Sequence, residues 1–175
     1  MSLLAGPYLI AVVILGAAGA LKVARPATTA RALQELGLRV PPAAVRAGAL
    51  AELAVAAGAL VGGGRPFAAL VAASYAGFAG FVAFALGRGM PLSSCGCFGV
   101  DDTPPTIVHA GLNLAAAAVA AGVAVTGSGA AGLAEIAGLE GSALVGVAFV
   151  AATATSVWLA AVALTALPRL RARRP

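Results

Sequence analysis

The stretch Phe67–Leu86 reads FAALVAASYAGFAGFVAFAL, twenty residues without a charged side chain. About 20 mainly apolar residues are what an α-helix needs to cross the hydrocarbon core of a bilayer. Four other segments have the same character. They run from about Leu3 to Leu21, from Ala43 to Val61, from Ile107 to Val125 and from Ala143 to Leu167. The sequence therefore predicts an all-α fold, a polytopic membrane helix bundle of five transmembrane helices.

The composition of the chain agrees with a membrane protein. Apolar residues make up 61% of the 175 residues and charged residues only 10%, and the mean hydropathy is +1.01. Soluble domains usually carry about a quarter charged residues. We expect the lipid bilayer to surround this chain, since lipid takes the place of water around a membrane protein. No Lys or Arg precedes Lys22, so we interpret the first apolar run as a retained helix rather than a cleaved signal.

Basic residues flank the apolar runs. The net charge is +5, but these residues form no patch with interleaved aromatics, so we exclude nucleic acid as a partner. If all five segments span, one side of the membrane carries Arg65 and the other carries the remaining ten Lys and Arg residues. Cytoplasmic loops are enriched in Lys and Arg. We therefore expect a multi-pass protein of the bacterial plasma membrane, with the N-terminus outside and the C-terminus in the cytoplasm.

The connections between the apolar runs differ in character. Residues 22–42 have the spacing of a short amphipathic helix at the membrane interface. Its apolar side would carry Ala30, Leu33 and Leu36, and its polar side Thr28, Arg31, Gln34 and Glu35. The sequence GGGRP at 62–66 predicts a tight turn between antiparallel helices. The connection at 87–105 is the most polar and turn-rich, and the positive-inside count places it on the cytoplasmic face.

Cys95 and Cys97 lie in this polar connection with Gly96 between them. Three interpretations fit the pair. A disulfide across one residue is strained, and strained, exposed disulfides are the labile or catalytic ones. Two thiolates also suit a soft metal ion such as Cu(I), Zn(II) or Hg(II), with His109 as a candidate further ligand. Free cysteines can instead be inert, buried small hydrophobes. No other cofactor is predicted.

Three polar residues inside the apolar runs are supporting candidates. Glu52 lies near the middle of the second run, where a charge is costly and indicates either function or a structural pairing. His109 and Asn113 are four residues apart near the start of the fourth helix and share one face. His109 can act as a base or cation near a thiol, or simply hydrogen-bond within the bundle. Tyr75 is interpreted as a packing residue.

These residues give the chain a family resemblance. The sequence Cys95-Gly96-Cys97-Phe98-Gly99, the basic segment from Lys22 to Leu38, Glu52 and Asn113 resemble the MauE family of methylamine utilisation membrane proteins. That family is related in architecture to the DoxX-like four-helix membrane proteins. The resemblance covers residues 1–126 as a four-helix domain. Residues 127–175 would add a Gly-rich loop, the fifth helix and a basic tail. One departure is Leu112, at a position where the family often has Arg.

The resemblance implies a maturation role. MauE proteins are associated with processing or disulfide formation of the methylamine dehydrogenase small subunit, alongside a thioredoxin-like partner. The hypothesis is a membrane thiol-disulfide relay, a possible oxidoreductase, in which Cys95 and Cys97 exchange electrons with such a partner. Glu52, His109 and Asn113 would line the membrane beneath them. The alternatives are a soft-metal binding or transport protein and a structural subunit without chemistry.

Overall fold

The computed structural model describes residues 3–88 and 106–127, and five separate helical positions between 152 and 162. Among these residues the fold is all-α. The five helices are α1 (Ala5–Ala24), α2 (Pro26–Glu35), α3 (Pro42–Val61), α4 (Arg65–Gly87) and α5 (Ile107–Thr126). All except α2 are long and apolar enough to cross a membrane. The prediction of a polytopic helical bundle is thus confirmed.

Several predictions concern residues outside those described. The whole segment 89–105, which carries both cysteines, is one of them, and the Gly-rich loop after residue 127 is another. The fifth apolar run is described at five positions, all of them helical: Ala152, Thr155, Ser156, Leu159 and Val162. Within it the Ser156 hydroxyl donates to the Ala152 carbonyl at 2.8 Å.

Proline and glycine set the limits of the helices. Helices α2, α3 and α4 each have a proline within their first two positions, where the missing N–H costs no helical hydrogen bond. Between α3 and α4, Gly63 and Gly64 adopt φ angles of 60° and 91°, a conformation that glycine reaches without a steric penalty. The predicted tight turn at 62–66 is confirmed.

Helices α1 and α3 pack closely through small residues. A Cβ atom on Gly19 would lie 3.1 Å from the Ala49 carbonyl oxygen, and one on Gly16 would lie 3.3 Å from Ala56. Small residues allow helix backbones to approach in this way inside a membrane. Since rising numbers on α1 meet falling numbers on α3, the two helices are antiparallel.

Helices α4 and α5 form the other closely packed antiparallel pair. Arg65 at the start of α4 donates to the Val125 carbonyl near the end of α5 at 2.7 Å. The long helices therefore alternate in direction. As a result, the ends of α1 and α4 lie at the same end of the bundle as the beginnings of α3 and α5. A shared core of buried side chains, including Leu15, Val71 and Val123, joins the four helices.

Helix α2 packs against α1 and α3, which corrects part of its predicted orientation. Ala30 and Leu36 are buried as expected, and the exposed residues include Arg31, Gln34 and Glu35. Thr28 was expected on the polar side but is only 5% exposed. Because α2 contacts two helices, its buried face is wider than an apolar stripe and includes the small side chains of Thr28 and Ala32.

Candidate functional site

Lys22 and Glu52 form an ion pair inside the bundle. The Lys22 ammonium donates to Glu52 Oε1 at 2.6 Å. Glu52 Oε2 lies 2.5 Å from the same nitrogen but without the alignment of a hydrogen bond, so that contact is electrostatic. The two side chains are 5% and 17% exposed. The sequence left open whether Glu52 serves function or a structural pairing, and the structure shows a partner for it in Lys22.

Phe78 on α4 completes this group. The Lys22 ammonium nitrogen lies 4.4 Å from the centre of the Phe78 ring, a cation–π contact that is strongest where water is excluded. A charge taken out of water costs several kcal/mol unless it is paired, and the attraction of a close partner offsets that cost. Together Glu52 and Phe78 explain how a lysine stays buried between α1, α3 and α4.

Lys22 was not predicted as a site residue, because a basic residue near the end of an apolar helix is usually a topological charge. One signal was present. Lys22 is the only lysine in the chain, and the other ten basic residues are all arginine. A lysine presents a compact point charge on a flexible stem, whereas arginine presents a wide planar fork, so the single lysine differs in kind from the other basic residues. Without Lys22, nine basic residues still favour the same orientation.

The start of α5 is fixed by His109. The Thr106 backbone N–H donates to His109 Nδ1 at 3.3 Å, and the Thr106 hydroxyl lies 2.8 Å from the same atom. This is the bond that Glu or Gln usually makes in a capping box. A ring nitrogen that accepts from a backbone N–H carries no proton. In this network Nδ1 acts as the acceptor of the Thr106 backbone N–H. His109 is only 2% exposed.

Asn113 lies one turn further along α5 on the same face, as predicted. Its amide nitrogen donates to the His109 carbonyl at 2.8 Å. His109 and Asn113 both line a cavity of about 270 Å³ between α1, α4 and α5. Tyr75 lines it too, packs edge-on against Phe78 at 6.0 Å between ring centres, and donates to the Ala11 carbonyl at 2.6 Å. Tyr75 is therefore a packing residue with a cross-helix hydrogen bond.

The candidate polar residues are divided between two cavities. Lys22 and Glu52 line a second cavity of about 300 Å³, bordered by α2, whereas His109 and Asn113 line the first. Phe78 borders both. The structure thus brings His109 to Asn113 and Lys22 to Glu52, with an aromatic ring between the two cavities.

The cysteines and the metal hypothesis stay predictions. Cys95 and Cys97 fall in the segment outside the described residues, so neither their distance to His109 nor their redox state is defined. In the part of the chain that the structure covers, His, Cys, Asp and Glu side chains form no group of three or more. The described residues that flank the cysteine segment are Arg88, at the C-terminal end of α4, and Thr106, at the N-terminal end of α5.

The fold and these buried polar groups define a class, a polytopic helical membrane protein with an ion pair buried inside the bundle. Residues 1–127 match the family model described as methylamine utilisation protein MauE. The chain therefore belongs to the MauE family, which confirms the resemblance seen in the sequence. No curated protein and no solved structure matches the chain significantly.

Proposed function

We propose that this MauE-family protein is a membrane thiol-disulfide relay in which Cys95 and Cys97 exchange electrons with a thioredoxin-like protein. The pathway is methylamine dehydrogenase small-subunit maturation or a related one. The observation that carries the proposal is the position of Arg88 and Thr106, the described residues that flank the cysteine segment. Both residues belong to the end of the bundle where α1 finishes and α5 begins. This end also carries His109, in the first turn of α5.

Thiol-disulfide exchange between the two cysteine pairs balances in atoms and electrons without a further oxidant. A thiolate of one protein attacks the disulfide of the other, and a mixed disulfide forms as one thiolate leaves. The second thiolate of the attacking pair then breaks the mixed disulfide. One pair ends oxidised and the other ends reduced by two electrons and two protons. A partner from the aqueous phase reaches such a pair at a membrane edge, and the charge distribution favours the cytoplasmic edge.

The test is capture of the mixed disulfide in the host. Single variants Cys95→Ser and Cys97→Ser each leave one thiol that cannot resolve the intermediate. After acid quenching and alkylation, we expect one of them to carry a disulfide-linked thioredoxin-like protein that dithiothreitol releases. Matched controls are Ser93→Ala and Ser94→Ala in the wild-type background, which leave both thiols in place.

The soft-metal alternative predicts a different result. The purified protein would carry metal in a fixed ratio, and Cys97→Ser would lose it. Neither single variant would then accumulate a mixed disulfide. Full function of the Cys95→Ser/Cys97→Ser double variant in the host would contradict both proposals and favour a structural subunit.

A further inference from the structure

We infer that the cavity between α1, α4 and α5 binds a lipid-soluble quinone. The cavity has a volume of about 270 Å³. Its walls are mostly aliphatic, with residues such as Ile10, Ile14 and Val119, and its polar groups are few. Sites of this kind, apolar with a small number of placed polar groups, are typical of small-molecule binding.

The charge of the lining selects an uncharged ligand. Among the described residues that line this cavity there is no Asp, Glu, Lys or Arg. An ionic headgroup would be unpaired there, at a cost of several kcal/mol or more. The neighbouring cavity differs, because Lys22 and Glu52 line it. A phospholipid headgroup or a free phosphate therefore does not suit the cavity beside α5.

Asn113 supplies the polar contact. One of its amide hydrogens is used by the His109 carbonyl, whereas the amide has a second hydrogen and an oxygen that accepts. A group that both donates and accepts can pair with a carbonyl and also with a hydroxyl. These are the two forms of a quinone head, oxidised and reduced. A plain acyl chain would leave the amide without a partner, which is unfavourable in an apolar site.

The cavity extends to the outer surface of the bundle. Leu112 is 43% exposed and also lines the cavity. In a membrane protein this surface faces the bilayer, so a lipid-soluble ligand can enter sideways without crossing water. The apolar walls on α1 then contact the ring and the first part of its tail.

The assignment deepens the relay and in that respect rests on the proposed function. A relay needs a second redox partner, and a quinone accepts the two electrons that a dithiol releases. Two S–H bonds break and one S–S bond forms, while the two carbonyl oxygens of the quinone take up the two electrons and two protons. The polar end of the cavity, with His109 and Asn113, lies near the N-terminal end of α5. Cys97 precedes this end of α5 in the sequence.

The experiment measures binding apart from thiol chemistry. The full chain is placed in nanodiscs of quinone-free phosphatidylcholine and titrated with decylubiquinone by calorimetry. Ala116→Phe fills the cavity, and Asn113→Leu removes the amide while keeping the same number of side-chain heavy atoms. Ala118→Phe is the matched control, because Ala118 lies on the same helix, is exposed and does not line the cavity.

We expect saturable one-to-one binding by the wild type, by Ala118→Phe and by the Cys95→Ser/Cys97→Ser double variant. Asn113→Leu should weaken binding about tenfold, the equivalent of about 1.4 kcal/mol, and Ala116→Phe should abolish it. Melting temperatures near that of the wild type show that the variants fold. Absence of saturable binding by the wild type, or equal binding by Ala116→Phe, would overturn the inference. If the protein binds quinone but no mixed disulfide is captured, the relay is overturned and the inference of a quinone-binding cavity stands.

Discussion

At the residue scale, the ion pair of Lys22 and Glu52 shows how two charges are accommodated inside an apolar bundle. The ammonium contacts a carboxylate and an aromatic face, so the charge of the pair is balanced within a few ångströms. Burial of such a pair costs desolvation energy, and the attraction between the two charges offsets most of that cost. Each charge is therefore tolerated because the other is present.

Removal of one charge should be more harmful than removal of both. We expect Glu52→Leu to lower the free energy of unfolding by about 3–5 kcal/mol, because Lys22 is left buried and unpaired. The double variant Lys22→Met/Glu52→Leu should recover most of that loss, since apolar side chains suit the site. Reversible unfolding in mixed micelles of dodecylmaltoside and dodecylsulfate measures both.

Leu50→Ala on the same helix is a control for loss of an exposed side chain, because Leu50 is 53% exposed. It should change the free energy of unfolding by much less than Glu52→Leu. A double variant as unstable as Glu52→Leu alone would contradict the electrostatic explanation and indicate that the side-chain shapes matter more.

The sequence predicted the charge at Glu52 but not its partner. Glu52 stands out because it interrupts an apolar run, whereas Lys22 lies near the end of a helix, where a basic residue is ordinary. The two are 30 residues apart, and their contact depends on how α1 and α3 pack. That His109 and Asn113 share a face was predicted, since it depends on helical spacing alone, whereas the contact of His109 with Thr106 was not predicted.

At the element scale, the hairpin of α3 and α4 depends on Gly58. A Cβ atom at this position would lie 2.1 Å from Cε1 of Phe67. The ring therefore packs directly on the glycine, which is a residue-specific contact between the two helices. Gly48, on the same helix, has no atom within 4 Å of its Cβ position.

Gly58→Ala should force Phe67 out of its place and destabilise the protein by about 1–3 kcal/mol, as overpacking usually does. Gly48→Ala is the matched control and should be neutral or stabilise by up to about 1 kcal/mol, because alanine favours helix. Thermal unfolding in detergent compares the two. Equal melting temperatures for both variants would show that the Phe67 ring moves without cost.

At the C-terminal end of α5, Arg65 supplies a hydrogen-bond donor to a backbone carbonyl that has no partner within the helix. Its guanidinium donates to the Val125 carbonyl, and Gly127 ends the helix with a φ of 73°. A cation at a helix C-terminus contributes about 0.3–1 kcal/mol. Arg65→Met should therefore speed amide exchange in the last turn of α5 by up to about fivefold.

Arg39→Met, in the connection after α2, is the control for loss of an exposed positive charge and should leave this exchange unchanged. Hydrogen–deuterium exchange by mass spectrometry resolves the segment. If Arg65→Met leaves the exchange of residues 122–127 as it is in the wild type, the cap contributes nothing and Arg65 is a topological charge only.

Element boundaries were accessible from the sequence because hydrophobic runs, prolines and glycines define them locally. The start of α5 at Ile107 matched the apolar run, and α3 and α4 each began within two residues of their predicted starts. The face of α2 was less accessible. Thr28 is buried because α2 packs on both α1 and α3. The sequence of a ten-residue helix does not indicate that it contacts two helices rather than one.

At the scale of the whole molecule, the charge distribution predicts the orientation in the membrane. Apart from Lys22 and Arg65, the basic residues that the structure describes lie at the end of the bundle where α2 packs: Arg25, Arg31, Arg39, Arg46 and Arg88. We expect this side to face the cytoplasm.

Single reporter cysteines on the Cys95→Ser/Cys97→Ser background test the orientation. Gln34→Cys, on the exposed face of α2, should resist a membrane-impermeant maleimide in intact cells and react after lysis. Thr126→Cys, at the opposite end of the bundle, should react in intact cells. The reverse pattern would place the N-terminus in the cytoplasm and the cysteine segment outside.

The fold class followed from composition and apolar runs, since the bilayer imposes helices of a fixed length. The cavity beside α5 could not be predicted in the same way. Its walls come from α1, α4 and α5, which are distant in the sequence. Its volume depends on where the side chains of these helices do not pack against each other. Asn113 was a candidate from its place in an apolar helix, whereas the proposal of a quinone ligand rests on the lining residues that the structure brings together.

The central claim, that Cys95 and Cys97 form a working redox pair, is tested most directly by their oxidation state in host cells growing on methylamine. Acid quenching followed by alkylation with a maleimide polymer separates the dithiol from the disulfide by mass. We expect both forms in the wild type and a shift between them when the thioredoxin-like partner is depleted. A pair that stays in one form under both conditions would contradict the claim.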